Sequence, residues 1–198
     1  MAFRAFAEAY TSCAKRNIML TGGLFHFSVK GVTDGLVQAC EIRSMPEDDP
    51  RRYWEPRRTA LFCLFGLIYG AGPGGFIYNK VYPRLFPGKP VVAALVDPFT
   101  NTPFVYMPLY YALAEIIKDA SNNTLFTRSA SEMLRAAATT WSTNFSEDIK
   151  VATTFWIPAQ LFNFIFFPLH LRMTVMGTIS FAWTVILSAF RGRSAVED

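Results

Sequence analysis

Four polar residues stand at successive four-residue steps early in the chain: His26, Lys30, Asp34 and Gln38. That spacing places all four on one face of a helix, and it puts Lys30 and Asp34 within reach of each other as an ion pair. A second series, Trp156, Gln160, Asn163, Phe167 and His170, follows at steps of four, three, four and three, again one helical stripe. Asp97 and Arg172 each stand as a single charge inside a long apolar surrounding. The chemistry open to this set is narrow. There is no nucleophile with a base beside it, no phosphate-cradling loop, no metal-ligand cluster and no carboxylate pair, and the only two histidines sit on different elements. The pattern therefore reads as non-enzymatic, without cofactor or metal. His26, Lys30, Asp34, Gln38, Asp97, Gln160, Asn163, His170 and Arg172 serve one of two purposes. They form a buried polar seam that holds helices together, or they line a hydrated path for a solute.

The elements that must position them are membrane helices. Val151 to Phe190 is forty residues with one full charge, Arg172, between uncharged runs of 19 and 18 residues. Each run approaches the roughly 20 apolar residues that a helix needs to cross a bilayer. Hydrophobic residues make up 52% of the 198-residue chain and charged ones 17%, below the quarter expected of a soluble domain. The net charge of +4 is too modest and too dispersed for nucleic acid. Cys13, Cys40 and Cys63 form no close pair, so neither a disulfide framework nor a thiolate site is indicated. In hydrocarbon a central Lys or Asp costs roughly 2.5 to 3.5 kcal/mol on insertion scales, which turns the polar faces inward. The expected fold is all-α, a four-helix transmembrane bundle in one domain, with spans at about 17–38, 59–79, 91–114 and 151–190.

Taken in order, residues 1–16 carry Arg4, Lys15 and Arg16 against Glu8, with Phe3, Phe6, Ala7 and Tyr10 near helical spacing: a short basic interfacial helix. It is similar to an uncleaved mitochondrial targeting segment. Residues 41–58 form a polar loop broken by Pro46, Pro50 and Pro56, with Tyr53 and Trp54 at headgroup level. Gly66, Gly70 and Gly74 repeat every four residues in the second span, allowing close helix approach. Pro98, Pro103 and Pro108 predict kinks in the third. Ser129 to Phe145 reads as a surface amphipathic helix capped by Ser131. The last forty residues would make a helix of about 60 Å, twice the hydrocarbon thickness. Only His170, Leu171 and Arg172 separate its two runs, so the reading is one long helix kinked at Pro168, with five spans as the alternative. Lys and Arg divide eight against nine between the two sets of loops, which sets no orientation.

Trp156, Gln160, Asn163-Phe164, Pro168, His170, Arg172, Trp183 and Leu187-Ser188 together resemble the C-terminal signature of the Mpv-seventeen and 22-kDa peroxisomal membrane protein family. Asp34 with Gln38, Arg57 with Gly66, and Gly72-Pro73 match further elements of that pattern. Four departures stand out: Thr33 replaces a Gly before Asp34, Ile157 intervenes before Pro158, Phe76 to Asn79 replaces a His-x-Trp-Tyr, and Pro98 replaces a Gln after Asp97. The resemblance implies a small four-helix protein of the mitochondrial inner or the peroxisomal membrane. Pore-like solute passage and mitochondrial homeostasis are the roles it brings. Two functions follow. One is a structural or accessory subunit packed against lipids and other inner-membrane subunits of a respiratory-type complex; the alternative is a small-solute channel. The lost Gln and His thin the polar equipment and favour the subunit. Either way the protein is integral, so alkaline carbonate extraction is expected to leave it in the membrane pellet; release into the supernatant refutes the assignment.

Overall fold

The computed structural model describes residues 2–50, 52–122, 124 and 127–194, with the side chains of 2, 3, 6, 121 and 184–194 outside the description. Phe3, Phe6, Leu187 and Ser188 of the sequence reading fall among the latter. The described residues are helical with no strand. Helix α1 (Ala2–Arg16) is basic at its end and stops at Asn17, whose side chain accepts the Leu20 N–H at 3.2 Å and caps α2 (Ile18–Ser44). Asn17 turns the chain because its short amide replaces a missing helical carbonyl. The α2 helix outlasts the expected span by six residues, since nothing before Met45-Pro46 interrupts it. The polar loop is correspondingly shorter, 45–55. Within it the Trp54 ring rests beside Gly35, where a Cβ would sit 3.2 Å from the indole.

Helix α3 (Pro56–Ala71) returns antiparallel to α2, and glycine sets their separation. A Cβ on Gly66 would lie 2.5 Å from the His26 carbonyl oxygen, and one on Gly70 would lie 3.0 Å from Gly23 Cα. Backbones this close exclude any side chain between them. Gly74, third in the series, faces its own Tyr69 instead. The chain bends at Gly72 and continues as α4 (Pro73–Phe76), a π turn over Ile77–Val81 and α5 (Tyr82–Leu85). Among the described residues, Pro56–Leu85 is the one helical stretch whose length and composition suit a membrane crossing.

Helix α6 (Pro90–Asn101) and α7 (Met107–Ser121) are joined without a break by a π turn at Thr102–Tyr106. The expected proline kinks are absorbed here. The Met107 N–H bonds the Thr102 carbonyl five residues back. Pro108 has no N–H to continue that register, so the Pro103 carbonyl is left free, and the Trp141 indole N–H donates to it at 3.1 Å.

Helix α8 (Ala130–Phe166) corrects two expectations. Its cap is Ser129, not Ser131: Ser129 Oγ accepts the Glu132 N–H at 3.3 Å while Glu132 accepts the Ser129 N–H at 2.7 Å. That backbone N–H, foremost, holds the Glu132 carboxyl below its usual range. The surface helix and the next apolar run are also one 37-residue helix, which Pro158 does not end. It ends instead at Phe166. Pro168 forces extended backbone on Phe167, a single 3₁₀ turn spans Leu169–Leu171, and α9 (Arg172–Ser194) folds back. The Phe155 and Trp183 rings, 4.6 Å apart, close this hairpin. The last forty residues are therefore not one kinked helix, and the stripe from Trp156 stops at Asn163. Phe167 and His170 belong to the turn.

Beside an apolar core, several large apolar side chains face outward and several polar ones inward. Leu24, Phe27, Ile68, Phe99, Phe104 and Phe162 are exposed, while His26, Lys30, Asp34, Gln38, Asp97, Gln160 and Asn163 are buried. Gly66→Val is expected to lower stability by about 1–3 kcal/mol through overpacking against the His26 carbonyl, read as a fall in thermal midpoint in detergent. Gly88, whose φ of 68° serves only the turn before α6 and which has open space around it, provides the local comparison.

Candidate functional site

Two polar clusters occupy the interior, and the first clamps α2 to α3. Asp34 Oδ1 accepts Arg58 Nε at 2.9 Å, while Oδ2 accepts Gln38 Nε2 and Thr59 Oγ1, each at 2.7 Å. Gln38 Oε1 in turn accepts the Glu55 N–H at 2.7 Å, tying down the start of α3. Arg58 reaches on to Glu41 at 2.8 Å. The expected pair of Lys30 with Asp34 does not form. A helical side chain leans toward the N-terminus of its helix, so Lys30 reaches deeper into the bundle, and Asp34, a turn later, meets the incoming α3. Arg58, one residue beyond the Arg57 of the sequence pattern, takes the carboxylate.

The second cluster centres on Asp97 of α6. Tyr78 and Tyr82 donate to its two oxygens at 2.8 and 2.9 Å, Gln160 of α8 at 2.6 Å, and Asn101 at 3.1 Å. Asn101 also donates to Tyr69 at 2.8 Å. Four donors from three stretches of chain converge on one carboxylate, and among the described residues no cation pairs with it. Tyr78, Tyr82 and Asn101 went unread in the sequence, although Tyr82 follows Tyr78 by four residues and Asn101 follows Asp97 by four. That spacing marked them.

Between the clusters lies a cavity of about 30 Å³, room for one or two water molecules. Its walls include His26, Lys30, Tyr69, Asp97, Asn101 and Ser180. Lys30 donates to Ser180 at 2.9 Å and, at 3.5 Å, to Tyr106, with no carboxylate within ion-pair distance among the described residues. His26 is bonded through Nε2 to the Met173 carbonyl at 2.9 Å, joining α2 to α9. Asn101 Oδ1, Gln160 Oε1 and Asn163 Oδ1 are buried acceptors without a partner among the described residues.

The remaining sequence candidates gather at the hairpin turn. Asn163 donates to the Arg172 carbonyl at 3.2 Å, and the Arg172 guanidinium donates to the Phe164 and Phe167 carbonyls while lying 4.6 Å from the Phe164 ring centre. Trp156 and Trp183 pack together behind it, their centroids 6.1 Å apart. His170 stays half-exposed in the 3₁₀ turn. Gly72 and Pro73 supply the bend before α4, and Pro168 the bend before α9.

Such a chain is an all-helical protein that buries two polar clusters and exposes part of its large apolar side chains. Residues 130–188 match the Mpv17 / PMP22 family, the same stretch whose Trp156, Gln160, Asn163, Phe164, Pro168, Arg172 and Trp183 carry the resemblance. Two yeast relatives extend the similarity beyond it. Protein SYM1 of Debaryomyces hansenii is 26% identical over 186 residues, covering 87% of this chain and 80% of the relative. Protein SYM1 of Kluyveromyces lactis is 27% identical over 191 residues, covering 92% and 88%. No solved structure matches the chain.

Arg58→Leu is expected to destabilise by about 3–5 kcal/mol, because Asp34 then keeps a buried charge without its partner. The double change Asp34→Leu with Arg58→Leu should cost less than the single change. Thermal or denaturant melts in detergent rank the two, and a worse double variant refutes the clamp.

Proposed function

We propose that this chain is a non-enzymatic integral protein of the mitochondrial inner or the peroxisomal membrane, and that it is a small-solute channel in a closed state. The observation that carries the reading is the cavity between Lys30 and Asp97. An amine and a carboxyl group line one interior space and do not pair with each other. A seam that served packing alone would bring them together or replace both by apolar groups, because an unpaired buried charge is costly. Partnerless acceptors beside them, Asn101 Oδ1 and Gln160 Oε1, add capacity for water or a polar solute. The outward Leu, Ile and Phe side chains suit hydrocarbon. On this reading α2, Pro56–Leu85, Pro90–Ser121, the second half of α8 and α9 would be five spans in place of four, with α1 at the surface, and Pro56–Leu85 is the one whose length and composition support a crossing among the described residues.

Planar-bilayer recording of the purified chain tests this. Lys30→Met is expected to shift selectivity toward cations and Asp97→Asn toward anions, since each removes one sign of charge from the path. Absence of conductance, or selectivity unmoved by both changes, refutes the channel. A second reading, the accessory subunit, has its own observation. Phe162, Ile165 and Phe166 form an exposed apolar face on α8 that a neighbouring subunit would cover. Co-migration with a much larger complex in mild-detergent extracts, loosened by deleting residues 1–16, would support it.

A further inference from the structure

The two ends of the bundle differ in how their charges are used. Tyr10 of α1 bonds Thr174 and packs on Phe25, Met19 lies against Gly75, and Tyr82 packs on Phe164, whose carbonyl receives Arg172. These contacts place α1, the 72–90 stretch and the 167–172 turn at one end. That end carries Lys15, Arg16, Lys80, Arg84 and Lys89, all exposed. None of the five has a carboxylate within ion-pair distance among the described residues. Glu8, the acid of that end among the described residues, is already taken by Arg4 at 3.0 Å. At the opposite end Arg58 pairs with Asp34 and Glu41, and Arg128 with Glu115 and Asp119. Glu47, Asp48 and Asp49 lie there too, so the exposed Arg43 and Lys118 of that end share it with acidic residues.

Unpaired cations crowded at one end repel one another and gain most from a sheet of negative charge. The same end exposes Phe76, Leu85, Phe166 and Leu169. Large apolar groups beside long basic side chains suit the boundary between acyl chains and headgroups, where the rings sink and the cations reach the phosphates. Nucleic acid would leave those apolar groups in water.

We propose that this end is a docking surface for the headgroups of anionic phospholipids in one leaflet, with Lys80, Arg84 and Lys89 taking their phosphates. The inference rests on the chain being an integral membrane protein, and its test separates the two. The full chain is reconstituted in phosphatidylcholine vesicles carrying spin-labelled phosphatidylglycerol or spin-labelled phosphatidylcholine, and the motionally restricted fraction is measured by electron paramagnetic resonance. Wild type is expected to select phosphatidylglycerol several-fold. The triple variant Lys80→Gln, Arg84→Gln, Lys89→Gln should lose that preference by about five-fold or more. Raising salt from about 0.1 to about 1 M, which shortens screening from about 10 to about 3 Å, should weaken it. The variant Arg43→Gln with Arg52→Gln, at the opposite end, should keep it. Equal affinity for both lipids, or a loss shared by the opposite-end variant, overturns the proposal. So does tight binding of soluble polyglutamate without lipid selection, which would make the surface a face for acidic proteins. Carbonate extraction of the same vesicles reports insertion separately: retention without lipid preference defeats this inference alone, whereas release defeats the membrane reading.

Discussion

The carboxylate of Asp97 is the point at which the bundle is tied together. Tyr78 and Tyr82 come from the stretch after Gly72, Asn101 from the next turn of α6, and Gln160 from α8. Each donor is itself a group that cannot stand in hydrocarbon, so the acid and its donors solve one another's burial. Helices that gain nothing by hiding apolar surface from lipid need such a reason to associate. The Asp34 cluster performs the same task between α2 and α3, with Arg58 adding a charge. Between these ties the glycines of α2 and α3 allow the close approach that shape alone then holds.

This arrangement explains why Pro56–Leu85 has the mean hydropathy of a membrane span and α2 does not. His26, Lys30, Asp34 and Gln38 lower the average of α2, yet all four are buried, and its outward residues are Leu20, Leu24, Phe27 and Leu36. A mean over the sequence mixes two faces that never meet the same environment. The periodic spacing carried the information that the mean discarded. For that reason the inward faces of α2 and of the first half of the Trp156 series were legible from the chain alone.

Other features were not legible, and each for a physical reason. Periodicity continues across a break, so the Trp156 series seemed to run through Pro168 to His170. What ends it is the clash of Pro168 with the preceding residue and the set of bonds joining Asn163, Arg172 and the Phe164 carbonyl, a tertiary arrangement. The partner of Asp34 was misread because an i, i+4 neighbour is visible in sequence, whereas Arg58 is brought in by a reversal of the chain. The prolines of α6 and α7 showed where hydrogen bonds would be missing, but not that a π turn and Trp141 would absorb the loss.

The hairpin also changes what α8 is. A helix of 37 residues is about 55 Å long, and its cap at Ser129 and its amide at Gln160 lie on a single stiff rod. Gln160 holds the central acid, and Asn163 holds the turn into α9. One continuous helix therefore runs from an exposed cap to the central carboxylate and on to the turn at Pro168.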